Sequence, residues 1–112
     1  MSTSSQRSVR VFQVDAFTRQ RFAGNPAGVV LDAESLSEEE MRAIARELNN
    51  GDTAFALPPS STDHDIVVRF FTPRAEAGFV GHATVALHAV RTVLGLPPAR
   101  RQKQKTGVVN ID

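Results

Sequence analysis

The sequence predicts an α+β domain in which a barrel-like sheet wraps around a central buried helix. Several short segments alternate as strands do, one helix has a full set of start signals, and a second helix is apolar on most sides. The length of 112 residues fits one domain with a true core. A helix that is apolar nearly all round has to be covered, so we expect strands around it.

The expected strands are runs rich in Val, Ile and Phe, bounded by turn residues. Gly24-Asn25-Pro26 is a turn signal that stands just before one of them. The final segment looks like the start of another strand. The predicted strands are residues 9–17, 28–31, 53–57, 66–71 and 105–112.

A first helix is expected to begin after Ser37. Ser37 and Glu40 have the spacing of a capping box, and Leu36 with Met41 has that of a hydrophobic staple. An apolar stripe at helical spacing follows, and Asn49-Asn50-Gly51 ends the helix because Asn and Gly tolerate a left-handed cap. The stripe consists of Met41, Ile44, Ala45 and Leu48.

Asp52 follows this helix directly and precedes an apolar strand. The C-terminal end of a helix is electronegative, so a carboxylate there does not stabilise the helix. A carboxylate at the edge of an apolar core suits a general acid or base. Taken alone, an ordinary turn aspartate is the commoner explanation.

Gly81-His82-Ala83-Thr84 opens the second helix, expected over residues 81–95. Free N–H groups at a helix start can bind an anion, and Gly81 lets a ligand approach the backbone closely. His82 can carry a proton near neutral pH. The alternative is a core histidine with a single hydrogen-bond partner.

Of four other features, three are expected to be structural and one is ambiguous. Gly24-Asn25-Pro26 is read as a plain turn and Asp63-His64-Asp65 as a solvated loop, not as metal ligands. His88 is expected to be a satisfied core histidine. Glu76 is ambiguous, since it could line a pocket mouth or cap a turn. No metal site is predicted.

Composition excludes several classes of protein. The formal net charge of +1 gives no strong field for nucleic acid or anionic lipid. The chain has no cysteine and no apolar run long enough to span a membrane. Residues 1–8 are polar without a signal-like apolar core, so we expect a flexible tail and a cytoplasmic protein.

The order of the motifs resembles the phenazine-biosynthesis isomerase-like family. The motifs are VDAFT, F-x-GNPA-x-VV, E-L-N-x-x-[acid]-T-A-F and R-x-FTP-x-x-E-x-x-F-x-GHAT, and the match runs from about Val11 to Asp112. Each motif alone is weak, but their combination is specific.

The resemblance implies the diaminopimelate epimerase-like fold, with two similar domains around an active site. Residues 9–112 would be the N-terminal domain, lacking the second. The implied reaction is proton transfer on a small hydroxylated amino acid, without metal or organic cofactor. Asp52 would stand at the general acid/base position, and His82 would act beside it. The expected substrate contacts are Asn25, Gly81, Ala83 and Thr84.

Two departures from the family pattern leave alternatives open. Asp52 stands where the family has glutamate and is shorter by about 1.5 Å, and Gly51 stands where it has serine. We therefore expect half of an isomerase that binds a small carboxylate-bearing metabolite, in antibiotic-type metabolism. A second copy or a separate C-terminal-half chain would complete it. The alternatives are a carbon–carbon bond hydrolase of the same family and a non-catalytic scaffold subunit.

Overall fold

A computed structural model describes residues 9–16, 25–48 and 51–111. The predicted flexible tail, Gly24 and the Asn49-Asn50 helix end lie outside these ranges. The described part contains seven strands in one sheet, two α-helices and a short 3-10 helix at Ala33–Ser35. The strands are β1 (Arg10–Ala16), β2 (Asn25–Leu31), β3 (Asp52–Leu57), β4 (Ile66–Phe71), β5 (Glu76–Ala77), β6 (Arg101–Gln104) and β7 (Gly107–Asn110), and the helices are α1 (Glu38–Leu48) and α2 (Gly81–Val93).

The sheet has the order β1-β2-β3-β4-β6-β7, and β5 pairs with β4. Two of its pairings are parallel, β2 with β3 and β4 with β6, while the other pairings are antiparallel. Parallel neighbours need a crossover, and α1 and α2 provide the two crossovers. This mixed arrangement confirms the predicted α+β class.

The two helices pack on opposite faces of the sheet, because alternate residues of a strand point to opposite sides. In β3, Ala54 belongs to the apolar cluster under α2, whereas Phe55 belongs to the cluster under α1. Phe55 and Phe71 meet edge to face there, with ring centroids 5.4 Å apart. Both faces of β3 are therefore covered, which explains its continuous apolar sequence.

The helix α1 begins as its capping signals predict. The Glu40 N–H donates to Ser37 Oγ at 3.1 Å, and the Ser37 N–H donates to Glu40 Oε1 at 2.8 Å. Leu36 and Met41 belong to the same apolar cluster, as a staple requires. The capping box is confirmed, and it fixes where α1 starts.

The prediction that α2 is buried nearly all round is wrong for one side of the helix. Ala83, Leu87 and Val90 pack on the sheet, but Val85 is 65% and Val93 84% exposed. The described strands cover only the side of α2 that faces them.

Two strand predictions are also corrected. The strand β2 begins at Asn25, so the expected turn residue Pro26 lies inside it, paired with Asp15. Pairing of β2 with β3 starts only at Ala27, so the missing N–H of Pro26 costs no hydrogen bond to β3.

The strand β6 has no predicted counterpart. It alternates cations with glutamines, and Gln102 and Gln104 are buried. Their amides join a chain of hydrogen bonds, because Gln102 Nε2 donates to Gln104 Oε1 at 2.7 Å. Because the buried residues of this segment are glutamines, its sequence lacks the alternation of apolar and polar residues that predicts a strand.

Candidate active site

Asp52 and His82 meet where β3 and α2 begin. Asp52 is the first residue of β3 and His82 the second residue of α2. The sheet register sets Asp52 beside Ala27 of β2, on the face that packs against α2. The structure therefore brings the two candidate catalytic residues of the sequence together.

The carboxylate and the imidazole are in direct contact. Asp52 Oδ2 lies 3.2 Å from His82 Nε2, and the two side chains are 22% and 26% exposed. At this separation the pair can share or exchange a proton, and both groups keep access from outside the core.

The start of α2 has free donors beside this pair. Val80 is the N-cap and makes no side-chain capping bond, and the first turn contains no acidic residue. The first hydrogen bond of the helix runs from the Thr84 N–H to the Val80 carbonyl at 3.0 Å. The N–H groups of Gly81, His82 and Ala83 therefore have no partner within the helix, and together they suit an anion.

The side chains of Ala83 and Thr84 are engaged within the protein, which limits their use as substrate contacts. The Ala83 methyl group is fully buried in the core under α2. Thr84 Oγ1 donates to the Val80 carbonyl at 2.9 Å, so its hydroxyl hydrogen is engaged within the helix. Any contact of Ala83 with a substrate would run through its backbone.

The position of Asn25 is known from its backbone in β2. It is the first residue of β2, two positions before Ala27, which is the register partner of Asp52. The residue thus lies at the same end of the sheet as the Asp52–His82 pair. Its side chain lies outside the described part of the structure.

Phe79 is a neighbour of the site that the sequence interpretation missed. A Cβ built on Gly81 would lie 3.9 Å from Phe79 Cε2, so the ring stands beside the helix start. Phe79 is 47% exposed and rests edge to face on Phe70, with centroids 5.8 Å apart. An aromatic residue two positions before a Gly-His helix start was the available signal in the sequence.

The solvated-loop interpretation of Asp63-His64-Asp65 is wrong for His64, which is only 2% exposed. Its ring contacts Ser60 and Asp63. Asp65 accepts from the backbone N–H groups of Arg100 and Arg101 and so joins β4 to β6. Within residues 9–16, 25–48 and 51–111 no cluster of side chains suits a metal ion.

His88 and Glu76 have structural partners. His88 is half-buried, burial lowers its pKa, and its Nε2 lies 2.7 Å from Gln102 Oε1, as expected for a satisfied core histidine. Glu76 forms a bidentate ion pair with Arg69, in which Arg69 Nε donates to Glu76 Oε2 at 2.9 Å and Arg69 Nη2 donates to Glu76 Oε1 at 2.8 Å. That guanidinium lowers the pKa of Glu76, so the carboxylate braces β4 and stays ionised.

The α+β sheet with its core helix places the domain in the class of PhzF-like and epimerase-like folds. The family model of the phenazine biosynthesis-like proteins matches residues 14–111, and the chain belongs to this family. The resemblance of its motifs is confirmed by that match.

Similar proteins support the assignment. An uncharacterized isomerase of Clostridium acetobutylicum is 45% identical over 90% of this chain, and the uncharacterized isomerase YddE of Escherichia coli is 56% identical over 78%. A phenazine biosynthesis protein of the PhzF family from Bacillus anthracis superposes with a TM-score of 0.75, at 40% identity over 91% of this chain.

The chain is much shorter than these relatives. It covers 33% of the Clostridium protein, 29% of the Escherichia coli protein and 35% of the Bacillus anthracis chain. It therefore spans about a third of their length and corresponds to their N-terminal part. No helix in the described part is long and apolar enough to cross a membrane.

Proposed function

We propose that this chain forms part of a cofactor-free, cytoplasmic isomerase that moves a proton on a small carboxylate-bearing metabolite in antibiotic-type metabolism. The carrying observation is the 3.2 Å contact between Asp52 and His82, beside free N–H groups at the start of α2. Membership of the family and the isomerase names of its relatives support the reaction class.

In this proposal the two parts of the site divide the work. The substrate carboxylate binds the N–H groups of Gly81, His82 and Ala83, and Asn25 adds a contact from β2. Asp52 takes the proton from the substrate carbon and returns it at another position. His82, in contact with Asp52, bears part of the charge that develops.

The shorter acid is accommodated by the backbone before it. Gly51 has φ +96°, a conformation that residues with a side chain rarely adopt, and a Cβ there would meet nothing within 4 Å. The serine of the family pattern would be strained in this conformation. Gly51 and Asp52 therefore act as a linked pair in which backbone freedom offsets the lost reach.

The complete enzyme needs more protein than this chain. Its relatives are about three times as long, and we propose that a second copy or a chain corresponding to their C-terminal part supplies the remaining structure. The site of the assembled protein would then lie between two domains.

Solvent-proton exchange tests the function directly. The assembled protein is incubated in D2O with a panel of small hydroxylated amino acids, and loss of C–H signals is followed by proton NMR. We expect Asp52→Asn to abolish exchange, because the amide cannot accept the proton, and to leave binding and fold nearly intact. Asp52→Glu should retain or raise the rate.

The same experiment separates the alternatives. Products of lower mass without exchange would indicate carbon–carbon bond cleavage. Binding that shifts the amide signals of Gly81 to Ala83 without exchange would indicate a scaffold subunit. Normal exchange by Asp52→Asn would refute the assigned role of Asp52.

A further inference from the structure

A second group of chemically capable side chains lies in the loop between β3 and β4, at the opposite end of β3 from Asp52. Ser60 Oγ lies 3.1 Å from His64 Nε2, and His64 Nδ1 lies 2.6 Å from Asp63 Oδ1. A hydroxyl, an imidazole and a carboxylate in this order form the arrangement that activates a serine. It is recognised by geometry and roles on unrelated folds.

The hydrogen bonds select the tautomer of His64 that a general base needs. Nε2 also accepts the backbone N–H of Ser60 at 2.9 Å, so in the neutral ring Nε2 carries no proton. The ring proton then lies on Nδ1, where it is donated to Asp63. The imidazole is completely buried, so packing holds its Nε2 lone pair towards Ser60.

Asp63 is suited to hold an imidazolium. Ser61 Oγ donates to its carboxylate, His64 contacts the same oxygen, and both bonds lower the pKa of Asp63. The carboxylate is 68% exposed and stays ionised at neutral pH. Asp63 is thus a positioning residue that also stabilises the charge His64 would acquire.

The loop is open to a small substrate. Ser60 is exposed, and both ends of the loop line a groove of about 310 Å³ through Pro58, Pro59 and Ile66. Leu31, Leu57 and Leu96 form an apolar part of this groove, and charged residues that include Arg10, Asp32 and Arg91 line the rest of it.

We propose that Ser60 is an activated nucleophile that takes the acyl group of a small ester with a short apolar acyl chain. Ser60 Oγ bonds to the acyl carbon while its proton passes to His64 Nε2. The bond to the leaving alcohol then breaks, and the alcohol takes that proton. Water attacks the acyl-serine with His64 again as base, which releases the carboxylic acid and restores the hydroxyl.

The shared lone pair predicts a slow cycle. When Nε2 is protonated, the Ser60 N–H loses its acceptor, and this loss opposes acylation and deacylation alike, because both steps charge the ring. An ester with a good leaving group eases only the acylation half, so with such an ester we expect an acyl-serine that accumulates, seen as a burst of about one product per chain.

Two probes test the proposal on the full chain. A fluorophosphonate followed by intact mass and peptide mapping should label Ser60 once, and p-nitrophenyl butyrate should give the burst. Ser60→Ala should abolish both signals, and Asp63→Asn should slow labelling at least tenfold. Thr62→Ala, an exposed change in the same loop, should label at the wild-type rate.

Three outcomes would overturn the proposal. They are no labelling of the wild type, labelling at another residue, and labelling of Asp63→Asn at the wild-type rate. In each case the cluster only braces the loop. Because Ser60→Ala alters an exposed side chain, its far-ultraviolet circular dichroism should match the wild type. The result does not depend on the isomerase site, which uses other residues.

Discussion

Asp52 contacts His82 at 3.2 Å and follows a glycine with an unusual backbone conformation. Gly51 has φ +96°, where a residue with a side chain is strained. The motif resemblance implies two departures side by side, Gly51 and Asp52. We propose that the first shapes the backbone that presents the second.

Replacing Gly51 should therefore destabilise the protein through its backbone. We expect Gly51→Ala to lower the free energy of unfolding by about 1 kcal/mol, because positive φ disfavours a Cβ. A clash contributes nothing, since the new methyl group would meet open space. Urea unfolding monitored by circular dichroism measures the change.

Gly81→Ala is the matched control. Gly81 begins α2 without a positive φ, and its new Cβ would make an ordinary contact with Phe79. We expect no loss of stability, because alanine is a better helix former than glycine. Equal losses from both changes would contradict the role given to the backbone of Gly51.

The capping box of α1 should have a measurable effect, because each of its two bonds satisfies an N–H at the helix start. Ser37→Ala should cost about 1 kcal/mol of stability, measured by urea unfolding. Glu47→Gln, at the other end of α1, serves as control because it removes a negative charge from the electronegative end. A Ser37→Ala protein as stable as the wild type would show that packing alone sets the start of α1.

Asp65 should make the pairing of β4 with β6 sensitive to acid. Hydrogen bonds from the Arg101 side chain and from the backbone lower its pKa from 3.8 to about 2. A carboxyl whose pKa is lower in the folded state contributes stability above its unfolded pKa, and that contribution disappears as pH falls through the folded value.

Urea unfolding between pH 5 and pH 2 measures this effect. The stability difference between wild type and Asp65→Asn should be largest above the unfolded pKa of 3.8 and should shrink as pH approaches 2. Thr62→Ala, which removes no ionisable group, should differ from wild type by a constant amount. A difference for Asp65→Asn that is constant over this range would argue against the assigned coupling.

The sequence predicts the parts of the structure that depend on local signals. The capping box of α1, the bounds of β4 and the start of α2 are all local, and the structure has them as expected. The nearness of Asp52 and His82 came from a resemblance and not from spacing. Only the crossing of β3 and α2 in space brings them to 3.2 Å.

The missed features depend on tertiary partners. The strand β6 faces α2 with glutamines, because His88 supplies a hydrogen bond to Gln102. His64 is buried because its ring nitrogens find Ser60 and Asp63. Polar residues of this kind look solvated until the group that satisfies them is placed beside them.

The exposed apolar side of α2 predicts whether the isolated chain associates in solution. Val85 and Val93 are 65% and 84% exposed on one side of the helix. Ala89 and Ile111 line the same groove of about 470 Å³. Contiguous exposed apolar surface of this kind favours association with another protein surface.

We expect the isolated chain to self-associate at micromolar concentration, as measured by light scattering. Val85→Lys with Val93→Lys should disperse it, because both changes place charge on the apolar side of α2. Val108→Lys, at a residue 42% exposed on the other face of the sheet, should disperse it less. A wild-type chain that is monomeric under these conditions would contradict the expectation.

The alternation of cationic side chains and glutamines in β6 disfavours other registers of the β6–β7 hairpin. Arg101 and Lys103 are exposed, while Gln102 and Gln104 are buried, and Gln102 contacts His88 of α2. A slip of one residue would turn the cations into the core and leave them without counter-charges. A slip of two residues would keep the alternation but carry Gln102 away from His88, now 2.7 Å distant. Only one pairing of these strands therefore leaves every cation in water and every buried amide with a partner.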